Sequence, residues 1–472
     1  MIFENNVKSD MDKLFRLLGI ALCLLSPAFA KGQDVGQFRM KKTQPSENEV
    51  AVWGGIEDGR FKPVHAALFQ WKAGADARIV RHGSHTSWVG TFSLEQAMGK
   101  HLGSSLFLEP GLFPVDLWDQ TTGTASRQTG RMEIGLLSDL SDLWAAGFNA
   151  SVKVANEAKQ GTFRHSTFGV DAQLEPTLTF LYDDDACFVA SYPVRLRTER
   201  AKAGQPGDGI QPVFLDEGMR YGVYEPGLGL FPVLDFSHGF YGRFYSPEFS
   251  GGFGITWKRG QAGEQDYSRF RFPGSTLKGF FEMPREGFEV DQVYRVAYQR
   301  DRDQLREARD GGYASLSDRI TRNATFRFSL LPHKGSLKRA GIELDGNLWR
   351  ERGFVSVQDE VRMIGGTATV FASARFLWFD VDARLSAGGG RWLDSGRSYE
   401  EDKVIRLAED WRKNMDYHLL PRIGMGATVT YHPYFLDGFS FQLDTDWLRA
   451  FKNVHLGGKN RNVATLRVIY RF

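Results

Sequence analysis

The carboxy-terminal run from Asn462 to Phe472 is compatible with few folds. Ala464, Leu466, Val468, Tyr470 and Phe472 share one parity, and Val463, Thr465, Arg467, Ile469 and Arg471 share the other. Successive side chains of a strand point to opposite faces, so this strand has an apolar, aromatic face and a face that carries arginine. The last strand of a soluble sheet would leave an open edge and be padded with polar residues. An apolar face ending on an aromatic residue suits a strand with lipid on one side, water on the other and neighbours along both edges.

Those residues resemble the closing strand of bacterial outer-membrane β-barrel proteins, the porin-like class. The resemblance implies an all-β transmembrane antiparallel barrel, outer-membrane lipids as partners, and Leu466, Val468, Tyr470 and Phe472 as the signal read by the outer-membrane assembly machinery. Composition agrees with the class. Aromatic residues make up 13% of the chain and 52 residues are glycine, yet mean hydropathy is only −0.35. Barrel strands give only alternate residues to lipid, so hydropathy stays low. Past the amino terminus no apolar run is long enough to cross a bilayer as a helix. The 59 basic and 57 acidic residues are interspersed, which argues against nucleic acid as a partner.

The amino terminus predicts export. Lys13 and Arg16 precede an apolar core, Leu17 to Leu25, and Ala28-Phe29-Ala30 has the form of a cleavage site. Residues 1–30 are therefore expected to be an extension plus signal peptide, with the mature chain starting at Lys31. Cleavage there removes Cys23 and leaves Cys187 without a partner for an intramolecular disulfide. Residues 31–86 are expected to be a periplasmic lead-in, a plug or a first hairpin, with Gly74 splitting Ala66–Trp71 from Ala77–Val80. Residues 87–472 are expected to form the barrel.

From Ser87 onward, alternating segments recur. Ala324, Phe326, Phe328 and Leu330 form one apolar row, and Ala340, Ile342, Leu344 and Leu348 form the next after the short link Pro332–Lys338. Val370 to Phe376 and Phe379 to Leu385 alternate on opposite parities, which marks a tight turn between them. Such rows predict roughly 16–18 strands, even in number. Long polar links are expected at Asp301–Arg319, Arg350–Gly365, Gly388–Leu420 and Ala450–Arg461. Within the third, Ser398-Tyr399-Glu400-Glu401 has the form of a capping box, and apolar spacing after it predicts a short helix from Glu400 to Met415, folded into the pore or lying on the rim.

If the apolar rows face lipid, the other parity lines the interior. Lumen candidates are Arg195, Arg197, Arg295, Arg327, Glu343, Arg375, Asp380, Arg384, Asp444 and Arg467. Symmetric hairpins would set Arg375 opposite Asp380, Phe371 opposite Arg384, Arg327 opposite Glu343 and Asp444 opposite Arg467. Opposite charges across a strand pair favour the pairing by about 0.2–1 kcal/mol each. These residues either hold a hydrated wall together or contact solutes that pass it.

Catalytic chemistry has little support. His82-Gly83-Ser84-His85 places imidazoles near a hydroxyl, but no acid partner is specified. Asp183-Asp184-Asp185 lacks the spacing of a calcium loop, and no HExxH or phosphate-binding glycine motif is present. No cofactor, metal or enzyme activity is expected. The leading expectation is a passive channel for small hydrophilic solutes. The alternatives are a plugged barrel that binds a surface glycan and a barrel enzyme acting on lipid or peptide.

Overall fold

The computed structural model describes residues 48–60, 67–101, 104–108, 116–119, 121–161, 164–183, 186–204, 213–216, 222–224, 230–264, 267–310, 312–354, 359–395, 417–452 and 458–472. Its strands run in chain order from β1 (Asn48–Gly59), β2 (Phe69–His82), β3 (Thr86–His101), β4 (Ser104–Ser105), β5 (Asp116–Asp119), β6 (Gly123–Asp139), β7 (Trp144–Gly161) and β8 (His165–Asp183). There follow β9 (Ala186–Ser191), β10 (Val194–Ala203), β11 (Val213–Asp216), β12 (Gly222–Tyr224), β13 (Leu230–Tyr245), β14 (Ser250–Glu264), β15 (Tyr267–Arg285) and β16 (Val290–Arg309). The last are β17 (Gly312–Pro332), β18 (Leu337–Gly353), β19 (Asp359–Phe376), β20 (Phe379–Ser395), β21 (Arg422–Tyr431), β22 (Phe439–Ala450) and β23 (Asn460–Arg471).

All but four of these strands build one antiparallel sheet that closes on itself where β1 pairs with β23. The Phe472 amide donates to the Asn48 carbonyl at 3.1 Å at the seam. β9 and β10 are two halves of one wall strand, since both pair with β8 on one side and β13 on the other. Pro193, which has no N–H to give to the ladder, lies at the break. Counted this way the wall has 18 strands, within the expected range and even.

The apolar rows face outward, as exposed Val52, Phe253, Val296, Phe326, Val370, Leu385, Met425 and Leu466 attest. The links at the end that holds Asn48 and Phe472, called here the terminal end, are all short. The tightest joins Phe376 to Phe379 through Leu377 and Trp378, with Leu377 at φ 49°. A positive φ at the first central residue is what the mirror-image hairpin turns require.

Several expectations need correction. The wall begins at Asn48, ahead of Ser87. Gly74 does not split a hairpin. β2 runs straight through it, and a Cβ there would lie 2.5 Å from the Trp53 ring, so the glycine makes room for an indole inside the barrel. Asp301–Arg319 is not a long loop, because its residues continue β16 and β17. Within Arg350–Gly365, β18 runs on to Gly353 and β19 already begins at Asp359, and β20 extends to Ser395. Strands that rise beyond the bilayer are wet on both faces and lose the alternation by which a strand is read. The helix expected over Glu400–Met415, the signal peptide and most of Asp183–Asp185 fall outside the described residues.

Candidate functional site

The remaining four strands form a second sheet, in the order β12-β11-β5-β4. It is built from the two links that leave the wall at the far end, between β3 and β6 and between β10 and β13. Leu106, Phe107 and Leu117 of the first link pack against Ala201, Ala203, Phe231, Val233, Ala262, Phe270, Phe272, Leu305 and Leu316 of the wall. Ala201 and Ala203 share the lumen parity of Arg197 and Glu199, so the small sheet is seated inside the barrel mouth as a cap.

Polar contacts pin the cap from below. The Leu108 amide donates to Glu199 at 2.9 Å, Arg127 donates to the Leu108 carbonyl at 2.6 Å, and the Thr167 hydroxyl donates to the Leu106 carbonyl. Deepest is Asp119 of β5. Lys159 of β7 meets its carboxylate at 2.5 Å and also donates to the Thr121 carbonyl at 2.6 Å, and neither the lysine nor the aspartate side chain is solvent-exposed. Thr121 closes a local turn on the same carboxylate through its amide and its hydroxyl. His165 lies 3.7 Å away. Burial pushes the Asp119 carboxyl above its ordinary range, against the pull of the Lys159 ammonium. Beneath the cap a cleft of about 20 Å³, room for one water, is lined by Leu108, Arg127, Lys153, Asp171, Arg197 and Glu199 among others.

Each sequence-selected candidate lies on the lumen parity. Arg195 and Arg197 both reach Asp171 of β8, the second at 3.3 Å. Arg295 reaches Glu282 at 3.4 Å and Arg327 reaches Glu343 at 3.5 Å. Arg375 makes a two-pronged contact with Asp380, at 2.5 and 2.6 Å, which His432 joins at 2.9 Å. Phe371 does stand opposite Arg384. Arg384, however, turns the other way. It bridges over β21 to Asp446 of β22 at 2.5 Å. Gly426 of β21 lies between them, and a Cβ there would be 2.4 Å from both Arg384 Nε and Asp446 Oδ1.

Asp444 and Arg467 share the inner face but do not meet. Asp444 pairs with Thr465, and Arg467 with Gln442. Asp444 instead accepts from Thr428 at 2.6 Å and from Gln442 at 2.9 Å. Arg467 reaches back across β1 to Asp76 of β2 at 3.6 Å. The register is offset by two positions from a symmetric hairpin, because the link that joins β22 and β23 is not centred where parity alone puts it.

Sequence reasoning missed Lys159, Asp119 and the Arg243–Glu175 contact. Lys159 shares the parity of Lys153 and was readable as inward. Asp119 carried no signal, since β5 is a four-residue strand that pairs with a two-residue strand on one side and with β11, almost a hundred residues away, on the other. His82, Ser84 and His85 lie at a terminal-end turn, where His82 Nδ1 shares a hydrogen bond with Ser87 at 3.2 Å. Among the described residues no cluster of His, Cys, Asp and Glu has the arrangement of a metal site.

No protein-family profile matches the chain, and no curated protein does. Solved structures with a similar chain path include the FrpB iron transporter from Neisseria meningitidis, F5-1 variant, at 10% identity, covering 93% of this chain and 84% of that one with a TM-score of 0.47. BauA, the ferric preacinetobactin receptor from Acinetobacter baumannii, matches at 7% identity over 91% of this chain and 80% of its own, with a TM-score of 0.40. The ferric-catecholate import receptor Fiu from E. coli K12, closed form, matches at 8% identity over 91% and 82%, with a TM-score of 0.38. The closed wall, its outward apolar rows and its charged interior make the chain an integral β-barrel of the bacterial outer membrane.

Proposed function

We propose that the barrel is a passive channel for small hydrophilic solutes, open along one side of its lumen and narrowed on the other by the inserted cap. The observation that carries this reading is the exposure of the lumen charges on β19 to β22. Arg375 and Arg384 keep 59% and 58% of their side chains exposed, and Asp446 keeps 46%. Closed walls of this strand number are wide enough to leave an aqueous path. The lining charges alternate in sign along that path, which suits hydrated solutes of either charge rather than a single ion. This is a transport reading and assigns no catalysis.

The cap favours one second reading, a plugged barrel whose outer surface binds a glycan. The two separate on conductance. Purified protein added to a planar bilayer should give stepwise, ohmic current under the channel reading and none under the plugged one.

A further inference from the structure

The outer face of β16 to β19 changes character partway along. On β16, Tyr294, Val296 and Tyr298 face outward and then give way to Arg300 and Arg302. On β17, Phe328, Phe326 and Ala324 give way to Arg322. On β18, Leu344 and Leu348 give way to Arg350 and Arg352, and on β19 Ile364 gives way to Arg362. A barrel strand crosses the bilayer in about 9–11 residues. Arg300 stands ten residues after Val290, where β16 begins at the terminal end, so the change falls where the hydrocarbon ends.

This band is not a balanced, solvated rim. Among the described side chains of β16 to β19, its six arginines share two carboxylates on the same outward parity, Asp318 and Glu360. Arg302 holds Asp318 at 3.0 Å, and Arg350, Arg352 and Arg362 all converge on Glu360, the first two at 2.8 and 2.6 Å. Two like-charge pairs stand directly opposite each other, Arg300 with Arg322 and Arg350 with Arg362. Such pairs destabilise a sheet unless something anionic lies between them. Arg300 and Arg322 have no ion pair among the described residues, so nothing in the described protein fills that need.

We infer that this band, with Arg300 and Arg322 at its centre, binds phosphate groups on the headgroups of a lipid in the leaflet at the far end. Guanidinium forks match phosphate oxygens two at a time, and Arg keeps its charge at every relevant pH. The ring of Tyr298, one outward step below Arg300, lies where an acyl chain meets its headgroup. The inference does not depend on whether the lumen conducts.

The test uses the purified full-length barrel in detergent, titrated with a bis-phosphorylated glycolipid and separately with phosphatidylcholine, with bound lipid counted by native mass spectrometry. The wild type should retain the phosphorylated lipid and not phosphatidylcholine. Arg300→Ser combined with Arg322→Ser should weaken retention roughly tenfold, as loss of charge-assisted hydrogen bonds requires. Equal retention by variant and wild type, or equal retention of both lipids, would overturn the assignment. Displacement of the lipid by an equal concentration of inorganic phosphate would also overturn it, because the site would then take the free ion rather than a headgroup. Heat-modifiable gel migration checks that the variant folds. If it does not, wild-type retention that stays constant from about 0.05 to about 0.5 M salt contradicts a charge-held lipid.

Discussion

On one side of the lumen, Lys159 and Asp119 meet at 2.5 Å with neither side chain exposed. On the other, Arg384 and Asp446 meet at the same 2.5 Å with about half of each exposed. The two pairs look alike on a distance criterion and differ in what they do. The buried pair has lost its hydration and is held by Thr121 on both partners, so removing one charge strands the other in a low dielectric. The exposed pair is screened by water and carries little folding energy. One charge pair fastens a cap to the wall, and the other, under the proposed channel reading, would shape the field that a solute meets.

That contrast sets an order of effects. Lys159→Met should have the largest, since it leaves Asp119 buried without its cation, at a cost to cap docking of about 3–5 kcal/mol. The barrel should still migrate as a folded, heat-modifiable species, while single-channel current becomes larger and noisier. Wild-type current in this variant would mean that the cap is not held by the pair. Gly426→Ala comes next. Its Cβ would press on both partners of the Arg384–Asp446 pair and part them, with a change in melting temperature of only a degree or two but a measurable change in reversal potential across a salt gradient. A severe loss of folding there would mean that the open side is as stability-bearing as the capped one. The smallest effect belongs to Asp446→Asn. It should leave stability within about 1 kcal/mol of wild type and shift selectivity toward anions by making the wall one charge more positive. An unchanged reversal potential would show that the β20–β22 side is not on the conduction path.

The two sides also differed in how much of them could be read from sequence. The open side is made of strands joined by short terminal-end turns, and there parity plus turn length was enough. Arg375 met Asp380 across a two-residue turn, and Arg327 met Glu343 across a four-residue one. Where the joining link was long, parity still gave the face but not the partner, as Asp444 and Arg467 illustrate. The capped side was not legible. β4, β5, β11 and β12 are two to four residues long, too short for a period, and they find one another only after the wall has brought two distant links to the same mouth. Arg302, Arg350, Arg352 and Arg362 fell within expected loops because strands above the hydrocarbon have no apolar face to report.

The most direct test of the account compares single-channel conductance of the wild type and the Lys159→Met variant in the same planar bilayer and salt. The account predicts discrete current steps from both, larger in the variant, because the β19–β22 side already conducts and releasing the cap widens the path. No conductance from either protein, with both folded by heat-modifiable migration, would contradict it and leave a barrel closed to solutes.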